Sequence, residues 1–261
     1  MLNTFDNDAA ALRCRRYRRR ILDVSQQVSA LHIGSAFSCT EIVDCIYNGL
    51  MKQGDIFLMS KGHGCMIQYA ILEERGVLSP SDLAAYCTRD GRLGVHPDIE
   101  TPGIVAATGS LGHGLSMAVG MALAERGSGV TIYVVLSDGE LMEGSSFEAI
   151  LMASSLDLEN IVAVVDYNNL QSLGRTTETH STFYPLVEKF EAFGWSSLEV
   201  DGHDGAAIFD AVTNRNGIDP LMVVARTTKG RGVSFMEGIP SWHYRSPSKS
   251  EYAKAIAELE A

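Results

Sequence analysis

Residues 137–171, SDGELMEGSSFEAILMASSLDLENIVAVVDYNNLQ, decide how this chain folds. An apolar run from Val130 to Leu136 leads into Asp138-Gly139, and a second, from Ile161 to Val165, leads into Asp166-Tyr167-Asn168-Asn169. Between them Glu143 to Leu156 has helical composition, with Phe147, Ile150 and Leu151 set among Ser and Ala. Strand, helix and strand in succession form the unit from which parallel sheets are built. Ligands of such sheets sit beyond the carboxyl ends of the strands, where Asp138 and Asn168 fall. A carboxylate, an amide oxygen and a loop carbonyl converging there make a hard-oxygen set suited to magnesium, which commonly keeps a phosphate among its ligands. The first expectation is therefore a magnesium-diphosphate site.

The same alternation extends outward from this stretch. Strands are expected near 56, 131, 161, 197 and 222, with helices between them, which predicts one doubly wound α/β domain over 1–261: a mostly parallel sheet with helices on both faces. A basic amphipathic helix is expected at about 7–31, where Leu12, Tyr17, Ile21, Val24, Val28 and Leu31 recur at helical intervals. Its arginines, Arg13, Arg15, Arg16, Arg18, Arg19 and Arg20, read as a solvated face or a contact with an acidic partner subunit rather than as a nucleic-acid arm. Thr40 is expected to cap a helix running through Leu50, leaving His32 at a break between helices. The Ala/Met/Val-rich segment Leu115 to Glu125 has few polar positions and is expected to be buried on several sides. Pro185 is expected in the first turn of a helix ending at Phe193, and Asp204 at the N-cap of the helix beyond it, with His203 serving turn chemistry.

Nearly half of the 261 residues are apolar, ample for a substantial core. The formal charge of −11 argues against general binding to nucleic acid or a membrane surface, both of which need a basic face. No apolar run approaches the roughly 20 residues of a membrane helix, and the opening MLNTFDNDAA lacks a secretory signal, so a cytoplasmic location is expected. The five cysteines have no C-x-x-C spacing and read as buried free thiols.

Several segments become informative together. Asp138-Gly139 followed thirty residues later by Asn168-Asn169 resembles the thiamine diphosphate signature, a GDG with NN at that interval. SALHIGSAFS, MSKGHG, GVHPDIETPG, TGSLGHGLSMAVGMALA, GELMEGSSFEA, VDGHD and GRGVSFMEGIPSWH look, in this order, like blocks of the transketolases, from about Leu22 to His243. The resemblance implies thiamine diphosphate and magnesium, or calcium or manganese in its place, as cofactors. It assigns Asp138, Asn168 and the carbonyl of Leu170 to the metal, with Asn168 and Gly139 also at the diphosphate. His63 would lie near the diphosphate, and Gly109 and Leu111 along the aminopyrimidine ring. His32, His96 and His243 would face the sugar hydroxyls and reacting carbons. Glu143 and Glu148 match an acidic pair that links the active sites at the family's dimer interface; read from the residues alone, they are also what a helix N-terminus attracts.

The resemblance ends before the family's pyrimidine-binding domain. It therefore implies the diphosphate-binding subunit of a split transketolase, working with a partner subunit that supplies the glutamate activating the cofactor, with two copies of each chain. Such an enzyme moves a two-carbon ketol unit from a ketose to an aldose. The alternatives are one chain of an enzyme decarboxylating 2-oxo acids and a non-catalytic scaffold; the three pocket histidines favour a polyol donor, since imidazole titrates near neutrality and can exchange a proton with a hydroxyl. Three positions depart from the pattern: Ser137 replaces the first glycine of GDG, His113 stands where glutamine is common, and Tyr244-Arg245 follow His243 where a glycine is common. Tyr244 and Arg245 are expected to narrow the pocket or to offer an anion partner.

Overall fold

The central strands form from apolar runs because each is buried on both faces, which rewards continuous Val, Ile and Leu over alternation, whereas the edge strand SSLEVD is only partly buried. The computed structural model describes residues 5–172 and 174–261. The strands of the main sheet are β1 (Ile56–Met59), β2 (Ile132–Ser137), β3 (Ile161–Tyr167), β6 (Ser196–Asp201) and β7 (Leu221–Arg226), and β4 (Leu170–Gln171) with β5 (Gly174–Arg175) form a small antiparallel pair. The sheet order is β1-β2-β3-β7-β6, parallel throughout, so every strand ends at one rim.

Alternation along β2 and β3 divides the core in two. Tyr133, Val135, Val162 and Val164 face one layer, together with Ile21 of α1 (Asn7–Ser25), Ile42 of α3 (Thr40–Cys45), Ile67 of α4 (Met66–Glu74), Leu83 of the short α5 (Pro80–Ala84), Ile208 of α10 (Gly205–Thr213) and Ala255 of α11 (Lys249–Glu260). Val134, Leu136, Ala163 and Val165 face the other, with Leu115 of α6 (Gly114–Ala124), Ile150 of α7 (Gly144–Ser155) and Phe190 of α9 (Val187–Ala192). Each fully buried Val, Leu or Ile contributes about 1.5–3 kcal/mol relative to an exposed one, so these two layers dominate the stability.

Local departures from the expected elements have identifiable causes. The first helix stops at Ser25, whose hydroxyl bonds back to the Leu22 carbonyl at 2.6 Å, a competition with the helical ladder that serine favours. His32 does lie at a break between helices, but the next helix begins at once: it is the N-cap of α2 (Ile33–Ser38), a helix that was not expected. Thr40 does not cap α3: its hydroxyl returns to the Ala36 carbonyl at 2.9 Å, and Cys39 stands at the N-cap. Pro185 precedes α9 instead of opening it. Asp204 caps α10 as expected, accepting from the Ala206 and Ala207 amides. Cys87 is exposed; the other four cysteines are buried and free.

Two surfaces differ from expectation more substantially. Five of the six arginines of α1 find carboxylates within the chain, while Arg15, Arg16 and Arg19 lie exposed, as a solvated face requires. Arg13 pairs with Asp44 at 2.7 Å, Arg16 with Glu74 at 2.8 Å, Arg18 with Glu41 at 2.7 Å, Arg20 with Glu73 at 2.7 Å, and Arg19 with Glu260. Leu12, expected on the apolar side, is exposed. The helix α6 is buried on one side only: Leu123 is 46% exposed, beside Leu151 and Met152 of neighbouring α7 at 51% and 49%.

Candidate active site

The rim of the sheet gathers chemistry because β2 and β3 run in register, pairing Ser137 with Asp166, so the residues just beyond them emerge side by side. Asp138 is fully buried. Its Oδ2 accepts from the Asn169 amide at 2.9 Å, from the Thr176 hydroxyl, at the start of α8 (Thr176–Thr179), at 2.9 Å, and from the Tyr184 hydroxyl at 3.3 Å. Its Oδ1 has no hydrogen-bond partner among the described residues. Burial, and then the charge of Asp166, push this carboxyl up to about 6. Asn168 lies in the turn after β3, its Oδ1 accepting from the Leu170 amide at 3.0 Å and its Nδ2 donating to Ser38 and Asp166. An unpartnered buried carboxylate oxygen, an amide oxygen and the Leu170 carbonyl form an all-oxygen set of the kind that magnesium or calcium takes. No group of three His, Cys, Asp or Glu side chains is placed to hold a metal ion among the described residues; this set differs in that two of its members are an amide and a backbone carbonyl.

Behind this set Lys61 and Asp166 form an ion pair with no exposed surface on either side chain. Asp166 also accepts from Ser38 and Thr227, so the pair is closed by hydrogen bonds. Burial alone would neutralise both, but their mutual attraction outweighs it: Asp166 is held below the usual carboxylate range and Lys61 above its own.

A cavity of about 410 Å³ opens in front, lined by His32, His63, His96, Gly109, Leu111, Gly139, Glu143, Asn168, Leu170 and His243, all singled out in the sequence, together with Lys229 and His180. The imidazoles crowd one another: the ring centroid of His32 lies 5.5 Å from His63, 6.1 Å from His96 and 5.2 Å from His243. Burial and the neighbouring cations keep them neutral. His32 falls to about 3 through burial and then His243, and His243 to about 4 through burial and then Lys229. His63 is pushed well below its ordinary value and His96 is lowered, both first by burial. The Nδ1 of His32 is buried and without a partner among the described residues. The backbone must pass close by to assemble this wall. A Cβ on Gly109, at φ +133°, would lie 2.6 Å from the His96 ring, and one on Gly62 would lie 2.7 Å from the Gly109 nitrogen.

Lys229 is the principal residue that sequence reasoning missed. It lies after β7 in the turn Arg226-Thr-Thr-Lys-Gly-Arg-Gly232, and its Nζ reaches His243 Nδ1 at 2.7 Å and the Leu170 carbonyl at 3.5 Å. No carboxylate pairs with it among the described residues, and burial followed by the charge of Lys61 lowers it to about 8. The available signal was a lysine just beyond the carboxyl end of a strand, the place where Asp138 and Asn168 attracted notice. Thr176 and His180 lie in a segment that had no reading at all. Glu148, by contrast, is exposed on α7 and does not line the cavity. Tyr244 does not line the cavity; it is half-exposed and packs on one of the lining residues, its ring centroid 4.4 Å from that of His32. Arg245 does not line it either; it pairs with Glu251 at 2.6 Å and lies over the face of Trp242 at 3.9 Å.

A parallel sheet whose rim carries an oxygen donor set, an uncompensated lysine and a cluster of neutral imidazoles defines a domain for a diphosphate-bearing cofactor. The family is fixed by comparison: residues 12–257 match the transketolase thiamine diphosphate-binding domain, and the chain belongs to the transketolase family. It is 36% identical to the first of the apulose-4-phosphate transketolase subunits of Phocaeicola vulgatus, over 95% of this chain and 92% of that one. It is likewise 36% identical to the 6-deoxy-6-sulfo-D-fructose transketolase subunit SqwG of Clostridium sp., covering 93% of each. The transketolase of Leishmania mexicana superposes with a TM-score of 0.89 at 28% identity, over 98% of this chain and 42% of the other. The chain thus spans less than half the length of that transketolase and nearly the whole of the two subunits.

Proposed function

We propose that the chain is the diphosphate-holding subunit of a two-chain transketolase, and that it moves a two-carbon ketol unit from a ketose to an aldehyde together with a pyrimidine-binding partner subunit. The observation that carries this reading is the buried, unpartnered Oδ1 of Asp138 beside Asn168 and Leu170, at the rim of a cavity walled by neutral imidazoles. Asp138, Asn168 and the Leu170 carbonyl hold magnesium. Gly139, His63 and the Lys229 ammonium hold the diphosphate, and Gly109 and Leu111 border the pyrimidine ring. When bound, thiamine diphosphate supplies the carbon nucleophile that carries the ketol unit.

The remaining chemistry falls to the chain's own side chains. Breaking a ketose next to its carbonyl requires a proton to leave the C3 hydroxyl and later return. His32, His96 and His243 are neutral and can accept it. An anionic ligand in the cavity raises these imidazoles toward the working range, by the Coulomb argument through which Lys229 and Lys61 lower His32 and His243 now. Glu143 stands at the cavity edge and Glu148 on the adjacent exposed face, where a second chain would join them. The half-exposed Leu123, Leu151 and Met152 give that chain an apolar surface. The assembly contains two copies of each chain. The two subunit relatives are named for a 4-phosphate and a 6-sulfo ketose, so a ketose with an anionic end is the donor class to try first.

The test is reconstitution. This chain, magnesium and thiamine diphosphate are mixed with a pyrimidine-binding subunit, and ketol transfer from a ketose phosphate to an aldehyde is followed. Activity is expected only with both chains present. Turnover by this chain alone, or release of labelled carbon dioxide from a 2-oxo acid in place of transfer, would overturn the reading.

A further inference from the structure

The block Val200-Asp-Gly-His-Asp204 takes no part in the cavity, yet it grips the turn that does. Asp201 ends β6, and its carboxylate accepts the His203 amide at 2.9 Å. Gly202 donates its amide to the Arg226 carbonyl at 2.7 Å and packs so closely that a Cβ would stand 2.5 Å from Thr227 Cγ2. His203 then spans two elements with its two ring nitrogens. Nε2 lies 2.8 Å from the amide of Thr228, and Nδ1 lies 3.0 Å from Glu41 Oε2. A backbone amide can only donate, so Nε2 carries no proton; the tautomer is fixed, and Nδ1–H donates to Glu41. Glu41 is a dependable acceptor. Burial would raise its carboxyl, but Arg18, bonded to both its oxygens at 2.7 Å, and His203 hold it down at about 2. Arg18 is anchored in turn by the Phe37 carbonyl at 2.9 Å.

We infer that His203 is a positioning residue: it fixes the turn after β7, and through that turn places Lys229 and His243 at the cavity. Thr228 immediately precedes Lys229. The other fastenings of the turn lie on either side: the Thr227 amide on the Tyr167 carbonyl at 3.0 Å, the Gly230 amide on Gly34 at 3.1 Å, and the Gly238 amide on the Lys229 carbonyl at 2.8 Å. Among the described residues the His203 bond is the hydrogen bond that ties this turn to Glu41 of α3 and through it to Arg18 of α1, which also packs against Gly232, so the line Arg18, Glu41, His203, Thr228 connects the arginine helix to the site. The consequence for the cofactor rests on the proposed function; the consequence for the turn does not.

The two amide replacements separate the two bonds of the ring. Glutamine can place an acceptor near the position of Nε2 and keep Thr228, whereas asparagine reaches only as far as Nδ1 and keeps Glu41. Hydrogen–deuterium exchange of the full chain, without cofactor, is measured for wild type, His203→Gln, His203→Asn and His203→Leu. Exchange over 227–238 is expected to rise about tenfold in the Asn and Leu variants, the scale of one lost hydrogen bond, and to stay near wild type in Gln, while α10, which comes directly after, is unchanged in all. Thiamine diphosphate titration with magnesium, read by quenching of tryptophan fluorescence, is expected to weaken in the same order. Equal exchange of the turn in the Gln and Asn variants overturns the inference, as does a turn that loosens while cofactor affinity stays put. A wild-type chain that binds no thiamine diphosphate defeats the functional reading instead, and the exchange data then decide the role of His203 unaided.

Discussion

The arginine helix and the wall of the cavity both bring charge indoors, and they treat it in opposite ways. Along α1 the charges are paired: Arg18 meets Glu41 through Nη1 and Nη2, with its Nε alone left without a partner among the described residues, and Arg13 meets Asp44 with two bonds. At the cavity, among the described residues, Asp138 keeps an oxygen without a partner, Lys229 has no carboxylate, and His32 keeps a bare nitrogen. A buried group left open costs folding free energy, commonly about 1–3 kcal/mol and more when charged. Closed pairs serve the chain's own structure; the open groups gathered at the cavity, unlike isolated ones such as Gln68 Oε1 and Tyr86 Oη, stand together where one ligand can close them.

The sharpest way to break this contrast is at Asp138. Asp138→Asn removes the charge and keeps the shape, so magnesium-dependent binding of thiamine diphosphate should weaken on the order of 100-fold or more, beyond what loss of a supporting partner costs a metal site. The metal-free variant should melt no lower than wild type, because a desolvated carboxylate has been neutralised. Titration calorimetry and a thermal melt read both, and an unchanged affinity would remove Asp138 from the metal.

The mirror experiment is Arg13→Met. Asp44, with no exposed side-chain surface, would keep only Asn48 at 2.8 Å as a partner. Stability should fall by about 3 kcal/mol, as when one member of a buried pair is removed, while cofactor affinity stays within about a factor of three. Urea unfolding measures the first and titration the second; a variant that lost affinity and kept its stability would erase the distinction between the two regions.

The smallest effect is in pH. His32 titrates at about 3 in the folded chain against 6.5 in an unfolded one, so between those values the unfolded chain binds the extra proton. Its contribution is present in full above about pH 6.5 and is lost as the pH falls toward 3. His32→Gln should flatten the decline in melting temperature between pH 7 and pH 5 for the cofactor-free chain. Parallel curves for the two proteins would show that His32 is not held neutral by its surroundings.

Much of the site was legible because parallel strands announce themselves as apolar runs and bring the residues after them to one rim. Asp138-Gly139 and Asn168-Asn169 were readable for that reason, and the ordered blocks around them supplied the histidines. The short helix α2 was not legible: all six of its residues are buried, which erases the one-sided periodicity that reveals a helix. The arginine pairs were hidden by distance along the chain, Arg19 finding Glu260 and Arg18 finding Glu41 only after folding. Lys229 escaped because its role depends on what does not pair with it, and no local pattern records that. The exposed side of α6 misled in the opposite sense, since it carries Leu123, as apolar as any residue the helix buries.

Tyr244 has a consequence for how such a protein diversifies. It rests on His32 with nearly half its surface in water, so little of the core depends on it. The outer side of His32 can therefore change its neighbour while the oxygen donors, the lysine and the other imidazoles keep their places.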